Sequence, residues 1–235
     1  MVKVLLLLVF IFFTATNLFS EEIYYTDDST RIMRGMVSPT QSAEAMEAYN
    51  TGNYFLHHNN FEEAEIYFLR AIALDNNFVD AMDHLGLVYR NLGRYDHAEH
   101  WYLRSIEINP NNIVPYLNLA VAYRFQGRLE DARQKYLQAR NLDPDDPEPY
   151  FGIGMVYQSA GHYEVSLEFI SIAMQIYLER ESMLLFNAFF AQGNNYYSME
   201  NYEDALRLYK AALVGHPDNA FIQNRIIEIE GILYE

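Results

Sequence analysis

Apolar residues recur three and four apart along most of the chain, in stretches separated by short polar turns, and this spacing predicts a succession of α-helices. The pattern also repeats as a block. GRYDHAEHWYLRSIEINPNN, from Gly93 to Asn112, returns thirty-four residues later, from Gly127, as GRLEDARQKYLQARNLDPDD. A period of this length marks an array of stacked units, each too small to bury its own apolar face. Units of 34 residues begin at Ala45, Val79, Ile113, Pro147 and Phe186, with five extra residues, Glu181 to Leu185, between the last two.

Each unit keeps three small residues. The eighth place holds Gly52, Gly86, Ala120, Gly154 and Gly193; the twentieth Ala64, Ala98, Ala132, Ser166 and Ala205; the twenty-seventh Ala71, Ser105, Ala139, Ala173 and Ala212. Two antiparallel helices come close only where their crossing points lack bulky side chains. Large residues fill the space beside them: Phe55, Tyr89, Tyr123, Tyr157 and Tyr196 at the eleventh place, and Phe68, Tyr102, Tyr136, Ile170 and Tyr209 at the twenty-fourth. Gly93, Gly127 and Gly161 suit the left-handed turn between the two helices of a unit, and Asn59 serves in the first. Pro110, Pro144 and Pro217 stop the second helix.

On these residues the chain resembles the tetratricopeptide-repeat family, whose 34-residue helical hairpins stack into a right-handed superhelical solenoid. The resemblance runs from Ala45 to Asn219, in units 45–78, 79–112, 113–146, 147–180 and 186–219, and it implies an all-α fold. Asn76 and Arg180 stand where proline is usual, and no Gly or Pro lies between His162 and Gln192. The second helix of the fourth unit is therefore expected to be prolonged, or its connection bent. Residues 220–235 place Ile222, Ile226, Ile229 and Leu233 at helical spacing and read as a capping helix.

The first twenty residues differ from the rest. Lys3 precedes ten unbroken apolar residues, Val4 to Phe13, and Ser20 precedes two glutamates. This reads as a secretory signal, the run being half the length a membrane-spanning helix needs, with a retained anchor as the alternative. A polar lead-in, 21–44, follows. The expected location is therefore outside the cytoplasm, in the bacterial periplasm or envelope or secreted. The chain has no Cys, which excludes disulfides and thiolate chemistry. Its net charge of −16 argues against nucleic acid and anionic membranes as partners.

No residue set points to catalysis, a cofactor or a metal. His97 and His100 lie three apart without a carboxylate completing a ligand set, and Asp143 to Pro149 lacks the glycine of a calcium loop. Acids such as Glu62, Glu63, Glu130 and Asp131 fall in the first turns of second helices, where they meet the positive end of the helix dipole. The resemblance implies a concave groove lined by the first helices, at the second, fifth, ninth and twelfth places of each unit. Carried over, the binding residues are Tyr49, Asn53, Leu87, Arg90, Leu117, Val121, Arg124, Phe151, Met155, Phe190 and Asn194, with Asn118 beside them. Chaperone-binding members of the family hold a peptide carboxylate with groove lysines. Here only Lys135 and Lys210 follow Lys3, so that specificity is not implied. The expectation is a non-catalytic scaffold that binds a protein or peptide segment, as a monomer in preference to a homodimer. The alternative is a structural or self-associating subunit of an envelope assembly.

Overall fold

A computed structural model describes residues 40–234. The expected signal, 1–20, and the lead-in as far as residue 39 lie outside the described residues. Among those described there are eleven α-helices and no strand. They form five antiparallel pairs: α1 (Ala43–His57) with α2 (Phe61–Leu74), α3 (Val79–Asn91) with α4 (Tyr95–Ile108), α5 (Ile113–Phe125) with α6 (Leu129–Leu142), α7 (Pro147–Ser159) with α8 (Tyr163–Glu179), and α9 (Leu184–Ser198) with α10 (Tyr202–Gly215). The last helix, α11 (Ala220–Tyr234), packs on α10.

Local chemistry sets the ends. The Ser42 hydroxyl accepts from the Ala45 amide at 3.1 Å, so α1 starts two residues ahead of the repeat frame. Asn112 and Asp146 cap α5 and α7 in the same manner, and Pro147 occupies the first turn of α7. Gly93, Gly127 and Gly161 turn the chain between helices at φ of 70°, 74° and 78°. Asn59 takes that place in the first pair at 56°, as expected, and Glu200 takes it in the fifth at 59°. Glu181, at 51°, ends α8. That helix is prolonged, with 17 residues against the 14 of α2, α4, α6 and α10. The extension carries Tyr177 into the core, where its hydroxyl donates to Glu148 at 2.5 Å.

The small residue at the eighth place of a first helix lies under the large one at the twenty-fourth. A Cβ on Gly86 would stand 2.5 Å from the Tyr102 ring, on Gly52 2.8 Å from the Phe68 ring, and on Gly193 3.0 Å from the Tyr209 ring. Tyr136 serves two pairs, because Gly152 of the next first helix presses on the same ring, at 2.2 Å from a would-be Cβ. The buried side chain at this place of each second helix, a ring except in α8 where Ile170 lies over Gly154, therefore welds its own pair and, at Tyr136, the following one.

Polar links mark the seams between pairs. Tyr89 donates to Glu65 at 2.8 Å and Arg94 bridges the same carboxylate at 3.0 Å; Tyr123 and Arg128 repeat this on Glu99, both at 2.7 Å. The motif lapses beyond the third pair, where Arg133 stands in the glutamate's place. Between the fourth and fifth pairs a partly buried chain replaces it: Gln158 donates to Asn195, and Asn195 donates to the buried Ser166 at 2.8 Å. Ser166, the one serine at the twentieth place, is thereby explained. The core divides accordingly into one large cluster through α7, a second around Phe151, Ile170 and Tyr177, and a third around Tyr209, Ile222 and Ile229.

Replacing Gly152 by Ala is expected to lower the stability of the folded chain by about 1–3 kcal/mol, despite the helix propensity it gains, because the added methyl group would overlap the Tyr136 ring. Chemical denaturation of the two proteins checks this; equal midpoints would show that the ring yields.

Candidate functional site

The twelve residues all lie on the first helices, α1, α3, α5, α7 and α9, at the fifth, ninth or twelfth place of their units except Asn118 at the sixth. Leu87, Val121 and Met155 follow one another at 34 residues, and Asn194 follows after 39 because of the insertion. Arg90 and Arg124 form a second row, continued by Gln158 and Tyr197. The repeat thus arranges two lines of side chains across successive helices, one largely apolar and one polar.

Burial varies along these rows. Leu87, Leu117, Val121 and Phe151 are at most 7% exposed, whereas Met155, Phe190 and Asn194 keep part of their surface in water. Tyr49, Arg90 and Asn118 are also buried. The polar members are engaged within the chain: Arg90 donates to Asn118 at 3.2 Å, Tyr209 donates to Asn194 at 2.7 Å, and the Tyr49 hydroxyl meets His84 Nδ1 at 3.3 Å. Burial pushes the Tyr49 phenol up to about 12.

Periodicity carried one unit further names residues missed in the sequence. α11 begins where a sixth unit would, so its second residue, Phe221, takes the second of the carried-over places, in register with Met46, Asp80, Val114, Glu148 and Asn187. Phe221 is 53% exposed, meets Phe190 edge to face at 5.8 Å, and lies under the Arg225 guanidinium. Arg225 also covers the Tyr197 ring at 4.1 Å. At this end the rows open onto an aromatic and guanidinium surface, and a partner's apolar side chain could rest there. Among the described residues no three are placed to hold a metal ion; His97 lies against the Tyr89 ring and His100 against Trp101.

The middle of the array holds an unusual buried polar group. Asp83 on α3 accepts from Asn112 at 3.0 Å, with Asp80, Tyr102 and Ser105 around it. Burial pushes its carboxyl up to about 8; Ser105 and Asn112 act to lower it and Asp80 to raise it. Neither Asp83 Oδ1 nor Ser105 Oγ has a partner that meets hydrogen-bond geometry, so the opposition is weak and desolvation prevails. The folded value lies above the ordinary carboxylate value, so the fold holds the proton. This contribution to stability is complete below about pH 4 and is lost as pH rises towards 8. Asp83→Asn should therefore stabilise the chain relative to the parent by an amount that grows from pH 5 to pH 8, on the order of 1–3 kcal/mol, in paired denaturation curves. A pH-independent difference would place the charge elsewhere.

Sequence comparison agrees with this architecture. Tetratricopeptide-repeat profiles match residues 84–112, 101–134 and 190–228, and a further TPR-repeat profile matches 122–161. No curated protein sequence matches significantly. Among solved structures, a chain of the APC/C hetero-tetramer Cut9–Hcn1 is similar at a TM-score of 0.74 and 18% identity, over 82% of this chain and 37% of that one. A thermophilic TPR protein of Thermus thermophilus gives 0.66 and 19%, over 79% of this chain and 98% of that one. YrrB, described as a TPR protein with an unusual peptide-binding site, gives 0.53 and 22%, over 77% and 90%. With helical pairs at the repeat's spacing, small residues under buried rings, and profile matches in several units, the chain belongs to the tetratricopeptide-repeat family.

Proposed function

We propose that this protein is an exported, non-catalytic scaffold that holds a segment of a partner protein along the rows formed by its first helices. Tetratricopeptide-repeat proteins are in general interaction scaffolds, and the coarse function follows from the family. The observation that carries the finer reading is the alignment of Leu87, Val121, Met155 and Asn194 on successive helices, with the part-exposed Phe190 one turn before Asn194 on α9 and in ring contact with the exposed Phe221. A bound segment gains affinity by burying its apolar residues against Met155, Phe190 and Phe221. The amide nitrogen of Asn194 remains a donor for the segment's carbonyl groups, since only its oxygen serves Tyr209. The buried members, Leu87, Leu117 and Phe151, set the spacing of the rows. The peptide-binding site named for YrrB supports the reading by analogy of fold alone.

Residues 1–20 support export to the bacterial periplasm, the envelope or the exterior. A self-associating subunit of an envelope assembly is the alternative, and the bare outer side of α11 is the observation that favours it.

A photoreactive residue in place of Phe221, introduced in the native cell, should give a discrete covalent adduct with a partner protein. The same residue in place of Ile66, exposed on α2, should give none. Adducts at both places, or at neither, would reject the open end of the rows as a binding surface. Phe151→Ala serves as a contrast: at 4% exposure it should cost about 3–5 kcal/mol of stability, and so it reports on the core. N-terminal sequencing of the protein recovered outside the cytoplasm should begin at Glu21. Recovery only in the cytoplasm with Met1 retained would exclude export.

A further inference from the structure

α11 buries Ile222, Ile226 and Ile229 against the array, yet its opposite side is bare. Ile227 is 67% and Tyr234 78% exposed, Ala220 is exposed, and nothing lies within 4 Å of the place a Cβ would take on Gly231. At 3.6 residues per turn, Ala220, Gly231 and Tyr234 fall within about 40° of Ile227, so the four make one strip along the helix.

We propose that this strip is a homodimer interface, in which the α11 helices of two copies pack antiparallel about a two-fold axis through Ile227. The strip is complementary to itself in that register. Ile227 meets Ile227, Tyr234 of one copy lies over Ala220 of the other, and Gly231 lies beside Asn224. Small residues thus face large or flexible ones on both sides of the axis, which allows the two helices to approach closely. Gln223 falls on the same flank as Glu230 of the second copy, an amide donor against a carboxylate acceptor.

Charge favours the same place. A chain of net charge −16 repels its copies, and association is easiest where acids are already neutralised. On α11, Glu230 is paired with Lys210 at 2.6 Å and Glu228 with Arg225 at 2.8 Å. The strip between them therefore presents no uncompensated carboxylate. A 15-residue helix is about 22 Å long, which puts the contact at the low end of specific interfaces, with dissociation in the micromolar range. The arrangement is independent of whether the rows on the first helices hold a partner.

Sedimentation of the full chain between about 1 and 200 µM should show the dimer mass at the upper concentrations. Ile227→Asp should be monomeric throughout with an unchanged thermal melt, since the side chain is exposed. This variant also separates association through α11 from any association through residues 4–13. A monomeric parent, or a dimer that survives Ile227→Asp, overturns the proposal. Because the chain has no Cys, Ile227→Cys introduces a single thiol per copy. Mild oxidation should link it into a disulfide dimer, whereas Leu103→Cys, exposed on α4, should stay unlinked. A dimer mass without that cross-link overturns the two-fold register.

Discussion

Everything in this chain depends on how closely the two helices of a pair approach. The approach is set by a residue without a side chain, or nearly so, lying under a ring. Gly86 beneath Tyr102 and Gly52 beneath Phe68 leave no room for a methyl group, and both rings are fully buried. Burying a side chain of that size contributes about 1.5–3 kcal/mol. With no disulfide to constrain the unfolded chain, such contacts carry the stability of the array. They also hold the first helices at a fixed spacing, and that spacing makes aligned rows out of residues 34 positions apart in sequence.

The links between pairs show where the repeat is uniform and where it is not. Tyr89 and Tyr123 stitch their pairs to Glu65 and Glu99 with an arginine on each carboxylate. Exposed ion pairs of this kind contribute only modestly, and their role is to fix the seam. Past α7 the seam is made by Gln158, Asn195 and Ser166 inside the protein. Buried amide groups demand defined partners, so this joint is specified by hydrogen-bond geometry more than by apolar area. The insertion after Arg180 falls at that joint. The rows on the first helices therefore run from a part built on one continuous core to a part built on others, and the aromatic surface of Phe190 and Phe221 lies in the second.

The candidate site was legible as positions and not as surface. That Leu87, Val121 and Met155 share a line follows from the period alone, and the helices bear this placement. Which of them meets water does not follow. Leu117 and Met155 are both apolar residues at carried-over places, yet Leu117 is wholly buried and Met155 is half-buried. The difference comes from neighbours distant in sequence. Phe221 escaped notice because α11 reads as a cap, and its second residue takes a carried-over place only once α11 is seen to stand as a sixth first helix.

By itself the sequence determined the helical pairs, their period, the left-handed turns at Asn59 and the three glycines, and the lengthened α8. Each of these rests on the preference of one residue or a short stretch for a backbone conformation or a face. The left-handed Glu200, the second contact of Tyr136 with Gly152, the raised Asp83 carboxyl and the exposure of Ile227 were decided only by tertiary structure. Each is a property of the space between elements. Whether a site is dry, crowded or open is fixed when segments far apart in the chain are brought within van der Waals contact, and no local pattern encodes that.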